Sequence, residues 1–156
     1  MATTNEILES VRARLAQLPL AAELWPENHG DYRLNHPAGA ALVGYAGAEY
    51  GHARDVGLCV QDRDMTIPVI LCFRQLNGPN GAIDMLDQIR ILLLGFAPPD
   101  CTKLLLLQNE RFAGEADRLW WYELTVACRT LAVEDAEDEG GPLLTQLTHE
   151  ERHEDL

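Results

Sequence analysis

The chain has 156 residues, of which 47% are hydrophobic, and it carries a formal net charge of −13. This size suits a single domain that needs neither a metal ion nor disulfide bonds to fold. The acidic balance and the single lysine, Lys103, argue against a general nucleic-acid-binding protein, because phosphate groups are neutralised by clustered Lys and Arg.

The first predicted element is a helix with a clear start and end. Thr3 and Glu6 predict a capping box at its start. Apolar residues then recur at helical spacing as far as Leu18, and Pro19 is predicted to end the helix. Arginines near the C-terminal end also suit the helix dipole.

Short strands and turns are predicted next. Residues 23–25 and 40–44 are the expected strands. Between them, residues 28–31 and 35–37 are rich in Asn, Gly, His and Pro and predict turns.

Two apolar stretches, residues 56–61 and 66–76, are predicted to form a hairpin around a charged turn at residues 62–64. The second stretch is apolar on both faces, which is typical of a central strand covered by a helix on one side. Pro68 has no backbone N–H, so we expect it near the strand start or opposite an unpaired edge.

A second helix is predicted at residues 82–94, with Gly95 closing it. Residues 103–112 and 119–133 then predict a final strand pair across a turn at residues 114–117. This order predicts an α+β protein in which two helices pack on an antiparallel or mixed sheet of about five strands.

The hydrophobic pattern stops after residue 133, so we predict one domain at residues 1–133 and a mobile acidic tail at residues 134–156. The tail holds nine acids and one base. Residues 149–153 match the HExxH signature of zinc proteases, but that site needs a buried helix and a third ligand. We interpret the match as chance and predict no zinc-dependent hydrolysis.

No other sequence pattern indicates a reaction centre. The serine-hydrolase and phosphate-loop motifs are absent from the sequence, and His29, His36 and His52 lie in predicted loops. The cysteines are widely spaced and are expected to be reduced thiols. We therefore predict a protein that is not an enzyme and that has no cofactor, no metal site, no signal peptide and no membrane span.

A loop rich in Gly and Tyr lies within residues 42–63 and suits a surface that contacts a partner. The candidate subunit- or partner-binding residues combine this loop with nearby arginines and the last strand. They are Tyr45, Gly47, Tyr50, Gly51, Arg54, Arg63, Trp120 and Arg129.

Over residues 42–133 the chain resembles the Mu-like phage and prophage tail terminators, a family of minor tail proteins. The resemblance rests on the order and spacing of short matches in the loop, the second helix and the last two strands. They are Tyr45, Gly47, Tyr50, Gly51, Gln61, Arg63, Leu93 to Phe96, Pro98, Pro99, Arg111, Phe112, Trp121 to Leu124, Arg129 and Thr130.

This resemblance implies a terminator-like α+β fold and a structural role without catalytic residues. The implied assembly is a homo-oligomeric ring, a hexamer, that caps the tail tube and prepares it for head joining. Its implied partners are other copies of itself, the tail tube protein and a head-completion protein, with no membrane and no specific nucleic acid. The implied location is the host cytoplasm during assembly and then the virion tail.

Three alternatives stay open from the sequence. The protein could be a head–tail connector or another minor tail protein. It could instead be a small non-catalytic binding module that uses the aromatic residues 120–122. A hydrolase that uses the histidines is the third alternative.

Overall fold

The computed structural model describes residues 1–135, which contain two α-helices and one seven-stranded mixed sheet. The helices are α1 (Thr4–Leu15) and α2 (Ala82–Leu93). The strands, in chain order, are β1 (Ala21–Leu24), β2 (Gly39–Val43), β3 (Gly47–Tyr50), β4 (Arg54–Val56), β5 (Leu58–Phe73), β6 (Lys103–Ala116) and β7 (Leu119–Val133). The predicted α+β class, with two helices on a mixed sheet, is confirmed.

The 16-residue strand β5 organises the sheet. Along one side it pairs with β7 from Val60 opposite Val133 to Phe73 opposite Trp120. Along its other side it pairs in turn with β2, β3 and β4. The strand order β1-β2-β5-β7-β6 is therefore five strands wide, and β1 lies parallel to β2.

The predicted turn at residues 62–64 is wrong, because β5 continues through it without interruption. Asp62 and Asp64 project from one face of the strand, where Arg54 and Arg129 on neighbouring strands pair with them. In the local sequence these aspartates are typical of a solvent-exposed turn, but in the fold cross-strand ion pairs neutralise them. The predicted hairpin is thus one long strand.

The predicted turn at residues 114–117 is displaced toward the C-terminus. The connection between β6 and β7 is Asp117-Arg118, and both residues have positive φ, 54° and 63°. This is the backbone geometry of a tight two-residue hairpin turn. Gly114, with a φ of 116°, lies inside β6 at one of its register shifts.

Pro68 lies in the middle of β5 rather than near its start. The gap between β2 and β3 is opposite it, since β2 ends at Val43 and β3 begins at Gly47. The Gly44 amide donates to the Pro68 carbonyl at 2.9 Å, but proline cannot return that bond. The missing backbone N–H of Pro68 therefore lies where the partner of β5 changes from β2 to β3.

Both helices pack on the same face of the sheet. The capping box at the start of α1 is confirmed, with Thr3 Oγ1 accepting from the Glu6 amide at 3.1 Å. Alternate residues of β5 face the helices and are fully buried: Met65, Ile67, Val69, Leu71 and Phe73. Within residues 1–135 the opposite side of the sheet carries no α-helix, only the short 3-10 helix His29–Asp31, and it is called the helix-free face below.

The acidic tail from residue 136 onward and the HExxH match at residues 149–153 lie outside the described residues. Within residues 1–135, no helix combines the length and apolar character that crossing a membrane requires.

Candidate assembly surfaces

The eight candidate partner-binding residues do not form one patch. Arg63 and Arg129 illustrate the division, because they lie on the neighbouring strands β5 and β7 but project from opposite faces of the sheet. Arg63 lies on the side of the helices, whereas Arg129 lies on the helix-free face. The structure thus places the candidates in two different environments.

Arg63 links the glycine–tyrosine loop to the start of α1. Its Nη2 donates to Thr4 Oγ1 at 2.8 Å and to the Tyr45 hydroxyl at 2.9 Å. The guanidinium also lies 5.5 Å from the centre of the Tyr45 ring, a cation–π contact. Tyr50, directly opposite Arg63 on β3, is 57% exposed and is the aromatic side chain of this region most open to a partner.

Arg129 belongs to an ion-pair cluster on the helix-free face. Its Nε and Nη2 donate to the two carboxylate oxygens of Asp64 at 2.5 and 3.0 Å. Asp62 Oδ2 lies 3.6 Å from Arg129 Nη1, and Asp62 Oδ1 accepts from Arg54 at 2.6 Å. The hydrogen bonds from Arg129 hold the pKa of the Asp64 carboxyl below its usual range. All three predicted arginines, Arg54, Arg63 and Arg129, are therefore engaged within the subunit.

The two predicted loop glycines have different roles. Gly47 has a φ of 142°, a backbone conformation that favours glycine. Gly51 has an ordinary backbone, and a Cβ there would lie 3.5 Å from the Asp62 Cβ, which is normal contact distance. Of these two positions, only position 47 therefore requires glycine for its backbone conformation.

Trp120 lies on the helix side of the last strand. Its ring centre is 6.2 Å from that of Phe112, which in turn is 5.3 Å from Tyr122. Trp120 packs against the core, whereas Phe112 is more than half exposed. Trp121 projects from the other face, so the three consecutive aromatic residues do not make one stacking platform.

The helix-free face carries a cleft that the sequence analysis did not identify, called the leucine cleft. Its volume is about 420 Å³. Leu104 and Leu106 line it and are 53% and 54% exposed, whereas Leu105 between them is fully buried. Lys103 and Gln108 extend the lining along β6. The run of four leucines at residues 104–107 could have indicated this cleft. A strand that is apolar on both faces predicts that each face packs against another part of the protein or a partner.

The other half of the helix-free face is covered by residues 25–37, called the strap. Trp25 lies directly on Gly44, where a Cβ would come within 2.0 Å of the indole ring. Its Nε1 donates to the Leu42 carbonyl at 3.0 Å. Arg74 holds the far end of the strap by donating to the carbonyls of His36 and Leu34 at 2.8 and 3.2 Å.

A small cavity of about 80 Å³ remains beneath the strap. Its lining includes Trp25, Tyr32, Ile70 and Trp121. Burial raises the pKa of the Tyr32 phenol, and burial also raises the pKa of the nearby Cys72 thiol to about 11. The strap therefore leaves only a small, largely apolar cavity over this half of the face.

No catalytic or metal-binding arrangement is evident in residues 1–135. No group of three or more His, Cys, Asp or Glu side chains there could hold a metal ion. His36 Nδ1 accepts from the Ala38 amide at 3.0 Å, and the His29 ring makes an edge contact with Trp25. All four cysteines are free. Burial raises the pKa of the Cys128 thiol to about 12.

Comparison with known proteins adds a family but not a specific activity. No curated protein matches the chain. The model of the Gp37 protein family, a phage protein family, matches residues 9–151. The matched segment covers nearly all of the described fold and most of the acidic segment that follows it. The chain therefore belongs to the Gp37 protein family and is a phage-related protein.

Proposed function

We propose that this protein is a structural tail-completion protein of the terminator type. In this proposal it caps the phage tail tube as a hexameric ring and prepares the tube for head joining. Membership of a phage protein family supports a structural role rather than a catalytic one. The sequence resemblance to Mu-like tail terminators supports the finer assignment.

The leucine cleft is the observation that carries the proposal. Leu104 and Leu106 leave about half of their surface in water, although the neighbouring strap shows that this sheet can cover an apolar region with its own chain. Fully burying a leucine contributes about 1.5–3 kcal/mol, so covering the remaining halves of both would contribute about 2 kcal/mol. A surface of this kind favours contact with another protein chain.

The two edges of the sheet differ, and this supports a ring. At the level of Arg63, one edge is formed by β3 and presents Tyr50, whereas the other is formed by β6 and lies beside the leucine cleft. Unlike surfaces on one subunit join head to tail, and such contacts close into rings when the rotation between subunits permits. A finite ring is the form that can cap a tube.

The charge of the chain is compatible with this role. With a net charge of −13, the ring would repel rather than retain a DNA molecule that passes through its channel. The proposed protein partners are other copies of the chain, the tail tube protein and a head-completion protein. The proposed location is the host cytoplasm during assembly and then the virion tail.

The direct test is polymerisation of purified tail tube protein with and without this chain. A terminator should stop growth when added in a small molar ratio to tube subunits, and negative-stain images should show a ring at one end of each tube. Unchanged growth and bare tube ends would contradict the proposal.

A second measurement separates the terminator from a head–tail connector. Gold-labelled antibody should mark the upper end of finished tails, including tails that have not joined heads. Label on the portal of tailless capsids would favour the connector instead. The cavity beside Trp121 encloses only about 80 Å³, so it does not favour a binding module that uses the aromatic residues 120–122, because small-molecule sites usually enclose about 300–1,000 Å³.

A further inference from the structure

We propose that neighbouring subunits are joined by an exposed stripe of α2 that docks into the leucine cleft of the next copy. The α2 stripe consists of Ile83, Asp87, Ile91 and Leu94. This inference rests on the proposed ring and names the surfaces that build it.

The stripe is defined by helical geometry. At 100° per residue, Ile83, Asp87 and Ile91 fall within a sector of about 80° on the surface of α2, and Leu94 is the C-cap residue that follows its last turn. Ile91 is 81% exposed, and Ile83 and Leu94 are each about half exposed. The opposite side of the helix buries Met85, Ile89 and Leu93 against the core. The stripe therefore points away from its own sheet and is not needed to cover it.

The cleft offers matching chemistry. Its exposed apolar side chains are Leu104 and Leu106, which suit the branched side chains of the stripe. The charged lining residues of the cleft are Glu49, Asp64, Lys103 and Arg129. Asp64 pairs with Arg129, whereas Lys103 lies within 4 Å of no carboxylate oxygen in residues 1–135. The stripe carries Asp87, whose one described ionic partner is Arg90 on the same helix. In the proposed contact, Asp87 of one subunit therefore lies opposite Lys103 of the next.

The positions of the two surfaces favour a second copy over other occupants. The helices pack on one face of the sheet, and the leucine cleft lies on the other. When the stripe of one subunit fills the cleft of the next, the first subunit still has a free cleft and the second still has a free stripe. Contacts of this type continue from copy to copy until the ring closes, whereas a two-fold dimer would join identical patches.

The test uses paired cysteines in the Cys59→Ser background, because Cys59 is the exposed native cysteine. Subunits with Ile91→Cys are mixed with subunits with Leu106→Cys under mild oxidation. Disulfide-linked dimers should form in the mixture at roughly tenfold the yield given by either variant alone. A combined Ile91→Cys, Leu106→Cys chain should give a ladder that ends at the ring number. Equal yields in the single variants would overturn the head-to-tail arrangement.

Charge reversal supplies an independent readout. Asp87→Lys and Lys103→Glu should each weaken assembly on tubes by about tenfold, and the double variant should regain most of that loss. These positions are at the surface, so the thermal unfolding midpoint of the free subunit should change little. Two equal losses that do not recover in the double variant would contradict a direct contact.

Tyr50→Asp is the matched control on the competing surface, the β3 edge. Retained assembly in this variant together with loss in Ile91→Asp supports the proposed interface. The reverse result would place the interface at β3 and overturn the inference.

The inference and the proposed function fail in different ways. Tubes that are capped by both the wild type and Ile91→Asp would leave the terminator role standing and remove the interface. Cross-linked ladders from a protein that never stops tube growth would retain the interface and remove the terminator role.

Discussion

The two halves of the helix-free face share strands β5 and β7, but one half is covered by the chain itself and the other is not. In one half, the strap lays Trp25 over Gly44 and buries Cys72 completely. In the other half, Leu104 and Leu106 remain about half exposed beside a cleft of about 420 Å³. The chain thus covers one apolar region with its own strap and leaves the second region, the leucine cleft, exposed to solvent.

This difference separates residues that stabilise the subunit from residues available to a partner. Beneath the strap, side chains contribute to folding because water is already excluded there. In the leucine cleft, the same types of side chain contribute little to folding, since most of their gain would come only when a partner covers them. Substitutions in the two halves should therefore have different effects.

The largest expected effect is that of Trp25→Ala. It removes the indole that covers Gly44 and the hydrogen bond to the Leu42 carbonyl, so the free energy of unfolding should fall by about 3 kcal/mol. The matched change in the uncovered half, Leu106→Ala, should alter it by less than about 0.5 kcal/mol. Urea unfolding followed by circular dichroism measures both. Equal losses would remove the distinction between the two halves.

Gly44→Ala should destabilise by about 2 kcal/mol, because its Cβ would overlap the Trp25 ring and force the strap to move. Gly51→Ala is the control, since its Cβ would make only ordinary contact with Asp62. Thermal unfolding should therefore show a clear shift for the first variant and little change for the second. A neutral Gly44→Ala would show that the strap can move away from Gly44 at no cost.

The reactivity of Cys72 should report on the strap directly. Cys72 faces away from the helices, and the strap half of the sheet keeps it buried. In Gly44→Ala, labelling of Cys72 by a thiol reagent should accelerate roughly tenfold, equivalent to about 1.4 kcal/mol of easier local opening. Cys128, buried near the helix side of β7, is the internal control and should keep its rate. Equal acceleration at both thiols would indicate global rather than local opening.

The smallest expected effect concerns the ion pairs of the uncovered half. Arg129 holds the pKa of the Asp64 carboxyl below its usual range. The stability gained from this pair is therefore present above the usual Asp pKa of about 4 and is lost as the pH falls through the lowered pKa. Asp64→Asn should be less stable than the wild type near neutral pH, and the difference should shrink in acid. Urea unfolding of both proteins at a series of pH values measures this difference, and a difference that does not change with pH would contradict the role of the ion pair.

Local sequence signals predicted the helices well. The capping box at Thr3, the apolar spacing of α1 and α2, and the alternation of β7 all act between residues close in the chain. The order of elements then restricted the fold to an α+β class. These features do not depend on knowing which strands are neighbours.

The errors came from interactions between distant residues. The charges of Asp62 and Asp64 predict a turn when read locally, but Arg129 lies more than sixty positions away in sequence and pairs with both in the fold. Likewise, the packing of Trp25 requires that Gly44 has no side chain, and these two residues are distant in sequence. The leucine cleft depends on which half of the sheet the strap reaches, and no local pattern specifies that.

The pairing of β5 with β7 also has a consequence during synthesis. β5 is complete at Phe73, but its partner begins at Leu119 and ends at Val133, near the last described residue. Translation adds about 5–20 residues per second, so several seconds pass between the synthesis of β5 and that of β7. During this time the apolar side chains of β5 lack their partner strand. Pairings so distant in sequence form slowly and leave nascent chains prone to aggregation. Chaperone demand should therefore be greatest while β7 is still inside the ribosome.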